Sequence, residues 1–148
     1  MVADDCSLFP SLIAGLWSPD PLVRMRAADA TEKVTREHRE LLYPYKKELL
    51  GLMAETDQQE LRWHLAAIVP RLELSDRERQ SAIDSLTGYL TDRSSIVKTF
   101  ALQGLADIAE GQPEIRPAVI DMLREANRKG TPAMKARSRK LLIHLENL

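Results

Sequence analysis

The chain repeats itself. Four segments align without gaps over twelve positions, beginning at Val23, Leu61, Val97 and Met134, at steps of 38, 36 and 37 residues. Near-constant spacing of this length is the mark of stacked supersecondary units, and it restricts the fold more than any single residue does. The second position of each segment is cationic: Arg24, Arg62, Lys98 and Lys135. The fifth holds Ala27, Leu65, Ala101 and Ser138, the eighth Ala30, Ile68, Gly104 and Leu141, and the twelfth Val34, Leu72, Ile108 and Leu145. Apolar or small residues at steps of four, three and four form one stripe at the α-helical period. The segments therefore read as four copies of one amphipathic helix. Small residues let a neighbouring helix approach, and the cation at the edge of the stripe is placed to reach the next repeat.

A second set of helices is expected between these. Apolar residues at helical spacing run through Tyr45, Leu49, Leu52 and Met53, through Ala82, Ile83, Leu86 and Leu90, and through Ile115, Val119, Met122 and Leu123. The opening stretch Leu8, Leu12, Ile13 and Leu16 has the same character. Start signals fall between the sets: Asp20 before Pro21, Thr131 before Pro132, and capping boxes at Asp57 with Glu60 and at Ser75 with Glu78. Gly130 is placed to stop the third helix of the second set. Composition agrees with an all-α chain, since aromatic residues make up only 5% and β-branched runs are scarce. The reading is one domain over residues 1–148, with first-set helices beginning near 20, 57, 94 and 132 and an N-terminal half-repeat over 7–17.

These residues resemble the HEAT repeat family of armadillo-like α-solenoids. The resemblance is carried by Asp20-Pro21-Leu22-Val23-Arg24 with Ala27 and Ala28, by Leu61-Arg62 with Leu65 and Ala66, and by Val97-Lys98 with Ala101, Leu102 and Leu105. It covers about Ser7 to Leu148, and the fourth copy departs most, with Ser138 and Arg139 where small or apolar residues usually sit. It implies a right-handed α-α superhelix of about eight helices in roughly four repeats. It also implies a scaffold that holds a macromolecule on one curved face, generally the face of the second-set helices. Some members are enzymes, among them alkylpurine DNA glycosylases and phycobilin lyases, so the fold alone leaves function open.

Catalytic signatures are absent from the sequence. His38, His64 and His144 fall in three different repeats, without metal-site spacing on one helix, and Cys6 is the only cysteine. No nucleophile elbow, phosphate loop or zinc-protease motif occurs, so no catalytic residue, metal or cofactor is expected. The opening residues are acidic where a signal peptide would be basic, and the apolar run from Leu8 to Trp17 is well short of the roughly 20 residues of a membrane span. A cytoplasmic location and no membrane contact are the expectation.

Surface readings follow from the register. Counted at about 100° per residue from the first apolar slot, the third, seventh and tenth slots point away from the core. They hold Met25, Asp29 and Glu32, then Trp63, Ala67 and Pro70, then Thr99, Gln103 and Ala106. Trp63 beside Ala67 and Pro70 makes an apolar strip that suits a contact surface. Alternatively, Pro70 bends the helix and tucks Trp63 against a neighbour. Opposite the apolar stripes of the second set lie Lys46, Lys47 and Gly51, then Gln80, Asp84 and Thr87, then Arg116, Pro117 and Arg124, a mixed surface suited to a polypeptide.

The net charge of −1 gives no general pull toward nucleic acid, but it conceals a basic final unit. Arg124, Arg128, Lys129, Lys135, Arg137, Arg139 and Lys140 fall in a stretch whose one acid is Glu125. Lys135, Arg137, Arg139 and Lys140 are the candidate anion contacts, although no aromatic residue follows Phe100 to stack on bases. The last helix carries Leu141, Leu142, Ile143, Leu145 and Leu148, a wide apolar set that could dock on the N-terminal half-repeat of a second copy, head to tail. Three functions stay open: a polypeptide-binding scaffold using the second-set face, a nucleic-acid binder or glycosylase-type protein using the basic segment, and a bilin-type lyase.

Overall fold

The computed structural model describes residues 6–148. Eight α-helices, joined by short turns and 3-10 segments, make up the described residues, with no strand among them. The helices are α1 (Phe9–Ala14), α2 (Pro21–Thr35), α3 (Lys46–Glu55), α4 (Gln59–Ile68), α5 (Asp76–Tyr89), α6 (Ser95–Glu110), α7 (Arg116–Lys129) and α8 (Pro132–Glu146). None is long and apolar enough to cross a membrane.

Capping chemistry sets four of the eight starts. The Asp20 carboxylate accepts from the Leu22 backbone N–H, and the Ser94 and Thr131 hydroxyls accept from Val97 and Met134. Ser75 and Glu78 form the expected reciprocal capping box. The box expected at Asp57 and Glu60 does not form. The cap of α4 is Gln58, which makes no side-chain cap bond, and its N–H is taken by Thr56 Oγ1 at 3.2 Å. The helix thus starts one residue later than the acidic pair requires.

The even-numbered helices form one row, in which α2 packs on α4, α4 on α6 and α6 on α8. In the other row α3 packs on α5, while α7 packs chiefly on α6 and α8. The core is the seam between the rows, built from Leu61, Leu65, Ile68, Leu102 and Leu105 of α4 and α6 with Leu49, Leu86 and Leu123 facing them. Helices α4 and α6 approach closely at Gly104, where an ideal Cβ would lie 2.7 Å from the Ala66 carbonyl oxygen. Ser138 occupies the small-residue slot of α8 and is fully buried, whereas Arg139 is exposed. Val23 differs from its counterparts: it is exposed where Leu61 and Val97 are buried, because α2 has only the short α1 and its following turn on that side.

The repeated cations bridge two junctions and leave the third open. Arg24 donates to Gln58 Oε1 and to the Ser18 carbonyl, both at 2.7 Å. Arg62 donates to the Thr56 carbonyl at 2.9 Å and to Asp92 Oδ2 at 2.7 Å, and its guanidinium lies over the Tyr89 ring. Ser18, Thr56 and Asp92 are equivalent, each accepting the N–H two residues on. The side-chain ammonium groups of Lys98 and Lys135 make no hydrogen bond or ion pair among the described residues. Arg62→Met is therefore expected to cost about 1–2 kcal/mol in urea unfolding, because it strips two acceptors of a charged donor. Lys98→Met should stay within about 0.5 kcal/mol.

Candidate functional site

A groove of about 490 Å³ crosses the C-terminal halves of α2, α4 and α6. Its origin is local. Pro70 cannot donate to the helix ladder, so α4 ends at Ile68 and tightens into a 3-10 turn over Val69–Arg71, shorter than the helices on either side. The gap exposes Ala67, Pro70 and Phe100 as a half-buried apolar floor. One turn back, Trp63 packs on Phe100 with ring centroids 5.0 Å apart and stacks on His64 at 3.6 Å. Trp63 is thus packed against α6, as the bent-helix reading expects, and it remains half-exposed beside the groove.

One wall is cationic. Glu32 is buried and accepts from Arg36 Nε at 2.7 Å and from an Arg71 terminal nitrogen at 2.5 Å. Arg71 also donates to the Glu32 carbonyl and to Thr35 Oγ1. Hydrogen bonding from Arg36, opposed by burial and reinforced by Arg71, holds the Glu32 carboxyl down at about 2. The sequence expectation that Glu32 points outward is corrected, since it turns sideways to Arg71 of the next repeat. Arg36 and Arg39 remain exposed at the rim.

The opposite wall is acidic. Asp107 Oδ1 accepts from Gln103 at 2.8 Å, and Gln103 accepts from Arg137 of α8 at 2.9 Å. The surrounding protein desolvates Asp107 and raises its pKa against the Gln103 bond, and the nearby Glu110 charge adds to the rise. Asp107 still reaches solvent. Of the other slots expected to face outward, Thr99 and Ala106 are buried between helices and Met25, Asp29 and Gln103 are half-buried. Lateral contact with the next even-numbered helix covers them.

His64 is buried, with Nδ1–H donating to the Glu60 carbonyl at 2.6 Å. Its Nε2 has no hydrogen-bond partner and lies 3.6 Å from Asp29 Oδ1. His38 and His144 sit beside Glu40 and Glu110. Among the described residues no group of three or more His, Cys, Asp or Glu side chains converges as a metal set.

The second-set candidates are spread along the other row. Lys46 pairs with Glu78 at 3.0 Å and reaches the Glu73 carbonyl, Gln80 donates to Asp84, and Lys47 and Asp84 are exposed. Arg116 is used up at the end of α6, where it donates to the Ala109 and Glu110 carbonyls. Arg124 pairs with Asp121 and Glu146. The basic segment is likewise partly neutralised: Arg128 and Lys129 share Glu125, and Arg137 is tied to Gln103. Arg139 and Lys140 are exposed and Lys135 half-exposed. The terminal apolar set does not form a continuous face, because Leu141 and Leu145 are buried, Leu142 is half-buried, and only Ile143 and Leu148 are exposed.

Sequence reasoning missed Arg36, Arg39, Arg71, Phe100, Asp107 and Glu110. The signal available was the repeat period itself, since residues about one period apart become lateral neighbours, as with Glu32 and Arg71 or Gln103 and Arg137. Comparison with known proteins adds no family: no family model matches the chain, and no curated protein matches it significantly.

Proposed function

We propose that the chain is a non-catalytic interaction module, an α-solenoid of the HEAT kind with about four repeats. It receives a polypeptide segment in the groove across α2, α4 and α6. The observation that carries this reading is the arrangement of one apolar floor, Ala67, Pro70 and Phe100, between a cationic rim, Arg36 and Arg39, and an acidic wall, Asp107 and Glu110. A segment with an apolar side chain flanked by an acid and a base matches all three parts at once. Glu32 and Arg71 are held by each other, so the rim keeps its shape without a ligand and little ordering cost attends binding.

The solenoid reading rests on the serial packing of the even-numbered helices and on the recurrence of the turn-to-arginine bonds at Ser18 and Thr56. The even row packs at three successive junctions and the odd row chiefly at one, and the groove lies on the more continuous even row. This moves the binding face from the second-set helices, where the family resemblance put it, to the first set. The basic segment gives less support to a phosphate-binding reading, because Arg124, Arg128 and Lys129 have acidic partners and Arg137 bonds Gln103, which leaves Lys135, Arg139 and Lys140 as its free cations among the described residues.

Selection of displayed random dodecapeptides on the full chain tests the proposal. Enriched sequences should carry an apolar residue with an acid on one side and a base on the other. The double change Arg36→Glu and Arg39→Glu should remove the acidic preference and weaken selected peptides about tenfold or more. Lys47→Glu with Asp84→Lys, on the other row, should leave them unchanged. The reverse pattern would move the site to the second-set face, and no enrichment would contradict polypeptide binding.

A further inference from the structure

The third junction differs from the first two in a way that builds a pocket. At the first two, the repeat cation is an arginine tied to a turn, with Asp92 supplying the acceptor for Arg62. Between α7 and α8 the turn shrinks to Gly130 and Thr131, with no counterpart of Asp92. Only glycine fits this turn, since a Cβ at Gly130 would lie 2.5 Å from the Ala126 carbonyl and 2.8 Å from Met134 Cβ. The junction is held instead by Ser95 Oγ and Thr131 Oγ1, 2.6 Å apart. Lys98 is left lining a cleft of about 240 Å³ whose apolar lining is Leu90, Leu102, Met122, Ala126 and Met134. Against desolvation, the Ser94 N–H and Arg62 hold the Asp92 carboxyl below its usual range, and the Lys98 charge adds a little to this without a bond. Lys129 and Glu125 line the same cleft and pair with each other at 3.1 Å, so the net charge around it is positive.

We infer that this cleft binds a small aliphatic monocarboxylate, with its carboxylate on Lys98 and its tail between Met122 and Met134. An unpaired half-buried ammonium gains most from an anionic partner, and flexible thioethers adapt to a plain alkyl chain. Hexanoate, a carboxylate on a short unbranched alkyl chain, is the simplest probe that presents both features to this lining. This site is independent of the groove on α2, α4 and α6.

The test uses the full chain with isotope-labelled methionine methyl groups and a titration of hexanoate to about 10 mM, a range that reads millimolar affinity. Hexanoate should shift the Met122 and Met134 methyl signals saturably and leave Met25 and Met53 unmoved. Hexylamine and hexanamide should not produce these shifts. Lys98→Met should weaken binding about tenfold or more, Lys98→Arg should retain it, and Glu125→Gln, which removes the one negative charge of the lining, should tighten it. Absence of saturable shifts, equal shifts with hexylamine, or indifference to Lys98→Met would overturn the inference. Binding of N-acetyl-leucine without hexanoate would overturn it in favour of a polypeptide C-terminus.

Discussion

Replacing Gly104 with alanine is expected to destabilise the protein by about 2–3 kcal/mol, whereas the same change at Gly51 should stabilise it by about 0.5–1 kcal/mol. Both glycines lie inside helices, α6 and α3, so the intrinsic gain in helix propensity is shared. The sign is set by what a new methyl would meet. At Gly104 it would meet the Ala66 carbonyl at 2.7 Å and Leu86 side-chain carbons at 3.2 and 3.3 Å; at Gly51 it meets nothing within 4 Å. A backbone carbonyl inside α4 cannot move aside as a flexible side chain does, so α4 and α6 must separate along a seam that includes Leu65, Ala66, Ala101 and Leu105. In calorimetry the Gly104→Ala melting temperature should fall by roughly 4–12 °C and that of Gly51→Ala should rise. Equal and favourable shifts at both positions would mean that the two helices are not in this contact.

The second large effect is expected at Arg71. Arg71→Met leaves the buried Glu32 carboxylate with Arg36 alone and takes the donor from the Glu32 carbonyl and from Thr35 Oγ1. A loss of about 2–4 kcal/mol in urea unfolding follows, because one partner of a largely buried pair is removed while the other stays. The pH dependence has a definite sign. Glu32 ionises at about 2 in the folded protein against 4.5 ordinarily, so its contribution is fully present above about 4.5 and is lost as pH falls toward 2. Solvent around Arg36, whose side chain is 61% exposed, reduces the amount to roughly 2–3 kcal/mol. Unfolding measured between pH 2 and 5 should show a loss greater by this amount in the parent than in Glu32→Gln, in which Glu78, Asp29, Asp92 and Glu125 still titrate. Parallel curves for the two proteins would remove Glu32 from the account.

The sequence made the even-numbered helices legible because their apolar stripe recurs four times, and a recurring weak pattern is more informative than one strong match. Asp20, Ser75 with Glu78, and Thr131 were legible as caps because they sit beside a proline or form a reciprocal pair. Asp57 with Glu60 offered the same pattern and did not cap, since Thr56 had already fixed the turn through the Gln58 N–H. Trp63, Ala67 and Pro70 could be placed on one strip from the helical period alone. The rest of the groove could not, because Arg36, Arg71, Phe100 and Asp107 meet only through lateral packing of neighbouring helices. The angular count treated each helix as facing solvent on its far side, and in a row of stacked helices the flanks at Glu32, Thr99 and Ala106 face the next repeat instead.

The groove on α2, α4 and α6 is the centre of the account, and backbone amide shifts on titrating a selected peptide into the labelled full chain test it most directly. Perturbations should gather on Arg36, Trp63, Ala67, Phe100 and Asp107, with the indole signal of Trp63 moving and that of Trp17, exposed in the 3-10 turn after α1, unchanged. Perturbations gathered instead on Lys47, Gln80, Asp84 and Thr87 would contradict it and return the binding face to the second-set helices.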